Sequence, residues 1–384
     1  MSSQYSQLCP VLYGPDALNE LGAKAKELGG SRAILVYDKG IGSTGIIEKI
    51  EKMLTDEGIF VLKFDGVLAD APKDMVNSVG QLAQDNNIDM IVGIGGGSSL
   101  DTAKAVAILV ENPLPIDQYY AQFGKPFKQS FPLILIPTAS GTGSEVTAIS
   151  VIHDEDTDAK EFVLRPGNLA ILDPKVTLSL PPHVTAATGM DAMSHAVEAL
   201  TSKGASPKSD LLALHAIKLI AENLAVACED GSNLEARSNL SLASNFAGMA
   251  FSDASVHWGH AAAHEMGIKF HMPHGDACAL TLPEVVKSSA ELAPEVTKKI
   301  AEALQVEVPA GASAVEVGEM AAKAIRDLMK KVGIKSLKDR GITREEAIAC
   351  AKGAVEKNWF VIMALMPVDI PFVEGQMAAM YDNY

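Results

Sequence analysis

Residues 90–104 read Met90-Ile91-Val92-Gly93-Ile94-Gly95-Gly96-Gly97-Ser98-Ser99-Leu100-Asp101-Thr102-Ala103-Lys104. A β-branched apolar run passes through glycines into a helical apolar period, which predicts a strand, a tight turn and a helix. Three successive glycines remove every Cβ from the turn, so backbone N–H groups and a helix N-terminus can close on a pyrophosphate. Taken alone, such a run also builds an ordinary strand-to-helix turn. Outward from it the pattern repeats. AILVYD at 33–38, VLKF at 61–64, LILIP at 133–137 and LAILDP at 169–174 alternate with amphipathic stretches such as IIEKIEKMLTDEG and MVNSVGQLAQDNN. Strand and helix in alternation predict a parallel sheet covered by helices.

Two further segments belong to this half. Pro137-Thr138-Ala139-Ser140-Gly141-Thr142-Gly143-Ser144-Glu145 follows a strand. Its small hydroxyl residues, Thr138, Ser140 and Thr142 among them, can hydrogen-bond phosphate or ribose without filling the ligand's space, or simply form a polar loop. Asp38 ends an earlier strand, where a carboxylate can accept from ribose hydroxyls and repel the extra phosphate of NADP; it can equally cap the turn before Lys39-Gly40. The acid precedes the glycines by more than fifty residues, so this is not the ordinary Rossmann order. The dinucleotide candidates are therefore Asp38, Gly95, Gly96, Gly97, Ser98, Asp101, Thr138, Ser140 and Thr142.

After Leu180-Pro181-Pro182, Ala, Leu, Met and Glu dominate and β-branched runs become scarce, so the second half reads as all-helical. The expected organisation is an α/β domain over 1–176 followed by a helical, metal-binding and catalytic domain over 177–384, with a cleft between them. Within ATGMDAMSHAVEAL, Asp191 and His195 stand four apart, on one helix face. His260 and His264 repeat that spacing, and His274 follows in Met272-Pro273-His274-Gly275. Either pair alone is commonly a packing or surface pair. Together they are harder to explain without a metal: of the nine histidines, those at 257, 260, 264, 271 and 274 fall within one short segment. A carboxylate with several imidazoles is a set that Fe²⁺ or Zn²⁺ accepts while leaving a position open. A divalent cation makes a carbonyl electrophilic or eases loss of an alcohol proton, and a nicotinamide carries the hydride.

Composition narrows the classes. With 384 residues the chain is long enough for two cores, and 48% hydrophobic against 21% charged residues is an ordinary globular balance. A net charge of −16 without a Lys/Arg-rich run argues against a nucleic-acid partner. Cys9, Cys228, Cys278 and Cys350 form no C-x-x-C pair and read as reduced thiols. No secretory leader or run of roughly 18 apolar residues is recognised, so no membrane partner and a cytoplasmic location are expected.

The sequence strongly resembles the iron-dependent, or group III, alcohol dehydrogenases, over nearly its whole length. The resemblance is carried by GGGSSLDTAK at 95–104, PTASGTGSEVT at 137–147, LDP at 172–174, LPPHVTAATGMDAMSHAVEA at 180–199, and HAAAHEMG with PHG at 260–275. It implies metal ligands at Asp191, His195, His260 and His274, with His264 beside the nicotinamide as a proton-relay candidate. It also implies Gly96, Gly97, Ser98 and Asp101 at the diphosphate, Thr138 and Thr142 along the cofactor, and Asp38 at the adenosine ribose. The implied fold is the one shared with dehydroquinate synthases, the implied cofactors are NAD(H) with Fe²⁺ or Zn²⁺, and the implied assembly is a homodimer or larger homo-oligomer. The chain departs from many relatives at Ser252-Asp253-Ala254-Ser255-Val256-His257-Trp258-Gly259, so the substrate is not read from this segment.

The expected activity is interconversion of a small primary alcohol and its aldehyde, with His257 and Trp258 as substrate-side candidates. A narrower expectation is an aldehyde with a sulfonate or carboxylate head, motivated by His257, Lys269 and His271. From a different class, an NAD-using lyase or cyclase of the same fold would turn over with no net change in NADH, and a non-catalytic binding protein would not turn over at all.

Overall fold

The structure, a computed structural model, describes residue 5 and residues 7–157 and 159–384; the start of the expected first domain lies outside them. One compact unit holds residues 7–139 together with Gly143–Ser179, and the other holds Tyr5, Ser140–Thr142 and Leu180–Tyr384. The division falls shortly after the expected boundary at 176, with the loop Ser140–Thr142 packing in the second unit.

The first unit is built on strands β1 (Val11–Tyr13), β2 (Arg32–Val36), β3 (Phe60–Phe64), β4 (Met90–Gly95), β5 (Leu133–Pro137), β6 (Ile149–Asp154), β7 (Ala159–Leu164) and β8 (Leu169–Leu172). Six of them form one parallel sheet in the order β1-β8-β5-β4-β2-β3, while β6 and β7 pair antiparallel as a separate hairpin. Helices α1 (Leu21–Glu27), α2 (Ile46–Asp56), α3 (Lys73–Asp85) and α4 (Gly97–Leu109) cover the sheet. Alternation along β2 sorts the two faces. Ala33 and Leu35 pack with Leu21, Ile50 and Leu54 on one side, and Ile34 and Val36 with Val79, Ala83 and Ala103 on the other. Burial on both faces is why the central strands are unbroken apolar runs.

The chain runs outward from β2 to β3, then crosses back to β4 on the other side of β2. Strand order therefore reverses between β2 and β4. In an open α/β sheet the crevice outside the carboxyl ends of two such strands is where a ligand fits. Asp38 lies just past the end of β2, and Gly95 ends β4.

In the second unit α5 (Pro182–Leu200), α6 (Pro207–Glu229), α7 (Leu234–Ala254), α8 (Trp258–Phe270) and α9 (His274–Ser289) form the core around the candidate metal residues. Helix α5 packs against α6, α7 and α9, and α9 also packs against α8. Every residue of α5 from Gly189 to Leu200 is buried. Helix α6, with 23 residues and a mean hydropathy of 1.6, is long and apolar enough to cross a membrane by those measures. In this fold it buries Ala213, Ala216, Ile217, Ile220 and Leu224 in the core, while Lys218 and Glu222 are exposed on its other face.

One buried charge ties the first unit together. Lys104 Nζ on α4 donates to Ser144 Oγ (2.8 Å), Thr147 Oγ1 (3.3 Å) and the Ile149 carbonyl (2.7 Å), and lies 3.8 Å from Asp101. Burial pushes the Lys104 ammonium down from its usual range, opposed by the charge of Asp101. Lys104→Met is expected to lower unfolding free energy by about 3 kcal/mol, because it strands buried acceptors and a buried carboxylate. Lys52→Met, at an exposed pair with Asp56, should cost less than about 1 kcal/mol. Urea unfolding of the two variants measures the contrast.

Candidate metal centre and cofactor site

Asp191, His195 and Glu198 project from the part of α5 that is buried all round, where an unpartnered polar group is costly. Asp191 Oδ1 is the point on which the neighbours converge. His195 Nε2 lies 3.8 Å from it, His260 Nε2 3.9 Å and His274 Nε2 3.5 Å. The rings of His195 and His260 stack at 4.6 Å, and Phe251 stacks on the far side of His195 at 4.3 Å. Helical spacing supplies the first pair, α8 supplies His260, and His274 opens α9.

Two close backbone approaches make this convergence possible. A Cβ on Gly275 would overlap the Ala187 carbonyl, so only glycine lets the start of α9 come close enough to α5. A Cβ on Gly259 would stand 2.7 Å from Glu198 Oε1. That carboxylate reaches across to the start of α8: it accepts from the His257 backbone N–H at 2.6 Å and from His260 Nδ1 at 2.6 Å. With Nδ1–H donated to Glu198, His260 presents the lone pair of Nε2 toward Asp191, the arrangement a metal-ligating histidine requires.

The donor set fits a metal. His260 Nε2 is buried and has no hydrogen-bond partner among the described residues, although it faces three other donor-bearing side chains. Burial works against a charge on His260, but Glu198 overrides it and raises the imidazole above its usual range. Burial and the neighbouring His260 hold His195 well below that range. Burial opposes ionisation of Glu198, yet His260 and His257 keep its carboxyl below the usual value.

His264, one turn past His260, stands 5.4 Å ring to ring from His274, and its Nδ1 is 3.1 Å from Asn358 Oδ1. Phe360 meets the His264 ring edge-on at 5.6 Å.

At the carboxyl edge of the sheet, Gly95 has φ +146°, and a Cβ there would stand 2.6 Å from Ser99 Oγ. Gly96, the residue before α4, has open space where its Cβ would be, and no side chain caps the helix. That leaves a bare helix N-terminus running on into Gly97, with room for a phosphate. Thr138 N donates to the Gly95 carbonyl at 3.0 Å, so Thr138 sits beside the same turn. Ser98 Oγ accepts from the Asp70 backbone at 3.1 Å. Asp38 caps the short helix Lys39–Gly42, accepting from Ile41 N at 3.0 Å, and its other oxygen is 3.5 Å from Ser99 Oγ. In the second unit, Ser140 Oγ lies 3.3 Å from Ser241 Oγ, and Thr142 is half-buried.

Several of the expected site residues have other partners in this structure. Asp101 Oδ1 accepts from Ser144 Oγ at 2.6 Å and Oδ2 from Val151 N at 3.1 Å, which fastens α4 to the hairpin region. His257 is fully buried, with Nε2 2.9 Å from Thr201 Oγ1. Trp258, 1% exposed, packs edge-on against Phe372 in the helical core. With His257 buried, Lys269 donating to the Glu346 carbonyl and His271 exposed, the three residues expected to bind an anionic head do not form a group.

Residues that sequence reasoning missed are Glu198, Cys278 and Asn358. Glu198 was signalled by its spacing, three after His195 and seven after Asp191. Cys278 follows His274 by one turn, and its sulfur stands among the donors of Asp191, His260 and His274. Asn358 lies far along the chain and carried no local signal. If Glu198 fixes His260, Glu198→Ala should weaken metal affinity about 10–100-fold with secondary structure intact. Titration with a competing chelator measures this, and an unchanged affinity would contradict it.

Comparison with known proteins follows the same division. Residues 10–174 match the iron-containing alcohol dehydrogenase family, and residues 185–363 match the Fe-containing alcohol dehydrogenase family, C-terminal. The chain is 35% identical over 378 residues to long-chain-alcohol dehydrogenase 1 of Geobacillus thermodenitrificans, covering 96% of this chain and 93% of that protein. It is 38% identical over 336 residues to 1,3-propanediol dehydrogenase of Citrobacter freundii, covering 86% of each. Among solved structures, sulfoacetaldehyde reductase from Bifidobacterium kashiwanohense in complex with NAD+ superposes with a TM-score of 0.88 at 28% identity, covering 100% of this chain and 98% of that one. The chain belongs to the iron-containing alcohol dehydrogenase family and is an NAD(H)-dependent alcohol and aldehyde oxidoreductase.

Proposed function

We propose that the chain interconverts a small, uncharged primary alcohol and its aldehyde, with aldehyde reduction as the favoured direction, at a metal held by Asp191, His195, His260 and His274. The observation that carries this reading is the placement of three imidazole Nε2 atoms within 3.9 Å of one carboxylate oxygen in a buried setting. When bound, the metal supplies Lewis acidity and NAD(H) supplies the hydride.

The chain's own residues do the rest. Glu198 keeps the His260 proton on Nδ1 and orients the ring. His264 donates Nδ1–H to Asn358 Oδ1, so its basic nitrogen is Nε2, the atom that takes or returns the proton of the alcohol. Phe251 beside His195 and Phe360 beside His264 give this part of the unit apolar walls. Apolar walls favour a substrate whose remainder is uncharged, because an anionic head set against them loses its water without gaining a partner. This argues against the sulfonated or carboxylated aldehyde, for which the buried position of His257 removes the main motive.

Absorbance at 340 nm tests the reading, using anaerobic Fe²⁺-loaded protein and NADH. His260→Ala should lower kcat/KM for propanal at least ~10³-fold, the several kcal/mol that a Lewis acid contributes. His264→Ala should lower it ~10²-fold, as expected for loss of a proton-transfer group, with the metal still bound. The wild type should prefer propanal to sulfoacetaldehyde at least ~10-fold. A preference for the sulfonated aldehyde would contradict the substrate class, and turnover with no net NADH oxidation would favour a lyase.

A further inference from the structure

We infer that Cys278 is a donor to the same metal, so that the site offers five donor side chains, one of them a thiol, where the sequence expectation named four. The inference rests on the metal-dependent reading above and adds a ligand to it.

Helix α9 carries His274 and Cys278 one turn apart, so both side chains leave the same face. Cys278 Sγ lies 3.5 Å from His274 Nε2 and 3.9 Å from His274 Nδ1. One donor atom each from Asp191, His260, His274 and Cys278 fall within 4.8 Å of one another. The second observation is independent of the cysteine. His260 Nε2, on a residue 2% exposed, has no hydrogen-bond partner among the described residues and is aimed into this same group of atoms.

The spacing suits coordination. Two neighbouring donors about 109° apart around a metal, about 2.3 Å away for sulfur and about 2.0 Å for nitrogen, stand about 3.5 Å from each other. The separation of Cys278 Sγ and His274 Nε2 has that value, and the separation of Asp191 Oδ1 and His274 Nε2 is also 3.5 Å. Cys278 is fully buried whereas the His274 side chain is 33% exposed, so sulfur would close the inner side of the site and leave the outer side open. On coordination the thiol proton passes to solvent and sulfur binds as thiolate. A soft thiolate among imidazoles and one carboxylate shifts preference from iron toward zinc.

Cobalt substitution tests this without relying on turnover. The full chain, loaded anaerobically with Co²⁺, is compared with Cys278→Ser and Cys278→Ala, whose folding is checked by circular dichroism. The wild type should show visible ligand-field bands and a near-ultraviolet sulfur-to-cobalt charge-transfer band. Both variants should keep the visible bands and lose the charge-transfer band. After equilibration with equimolar Zn²⁺ and Fe²⁺, their bound zinc-to-iron ratio should fall about tenfold relative to wild type. Visible bands without a charge-transfer band in the wild type, or a band that persists in folded Cys278→Ser, would overturn the inference and leave the four-residue metal reading standing. Absence of any cobalt band in the wild type would overturn both.

Discussion

Two carboxylates, Asp191 and Glu198, are buried within one helix and face imidazoles in the helical core. Burying like charges this way is affordable only if a compensating charge is present. Hydrogen bonds to His257 N and His260 Nδ1 satisfy Glu198. Asp191 Oδ1 has the Nε2 atoms of His195, His260 and His274 around it at 3.5–3.9 Å. A divalent cation held there would balance both carboxylates at once.

The geometry around this point follows from small residues. Gly275 permits the contact of α9 with α5 that brings His274 to Asp191, and Gly259 leaves room for the Glu198 carboxylate beside α8. Each removes a Cβ where backbone or carboxylate must come near. The same device recurs in the first unit, where Gly95 and Gly96 clear the turn between β4 and α4. In both units glycine clears the space around a helix start.

Much of this was legible because it is local. Five of the six strands of the parallel sheet and their crossovers followed from apolar runs and helical periods, and the pairing of Asp191 with His195 followed from helical spacing. What depended on the third dimension was lost. Strand β1 is only three residues long and gains its identity by pairing with β8, and the β6–β7 hairpin carries mixed alternation with polar residues such as His153 and Glu161. His257 and Trp258 lie next to a metal histidine in sequence, but they stand at the start of α8 and turn into the core, toward Thr201 and Phe372. Asp101 lies in the glycine-rich motif, and Ser144 and Val151 hydrogen-bond its two oxygens. Sequence spacing reports which side chains share a face. Which partner that face meets depends on the packing.

The central claim is that one divalent metal sits among Asp191, His195, His260 and His274. A crystal grown with Zn²⁺ and measured at the zinc absorption edge tests it directly. The account predicts one anomalous peak per chain, about 2.0–2.2 Å from a carboxylate oxygen of Asp191 and from Nε2 of the histidines. A map without a peak there, or with zinc bound only at surface residues, would contradict it.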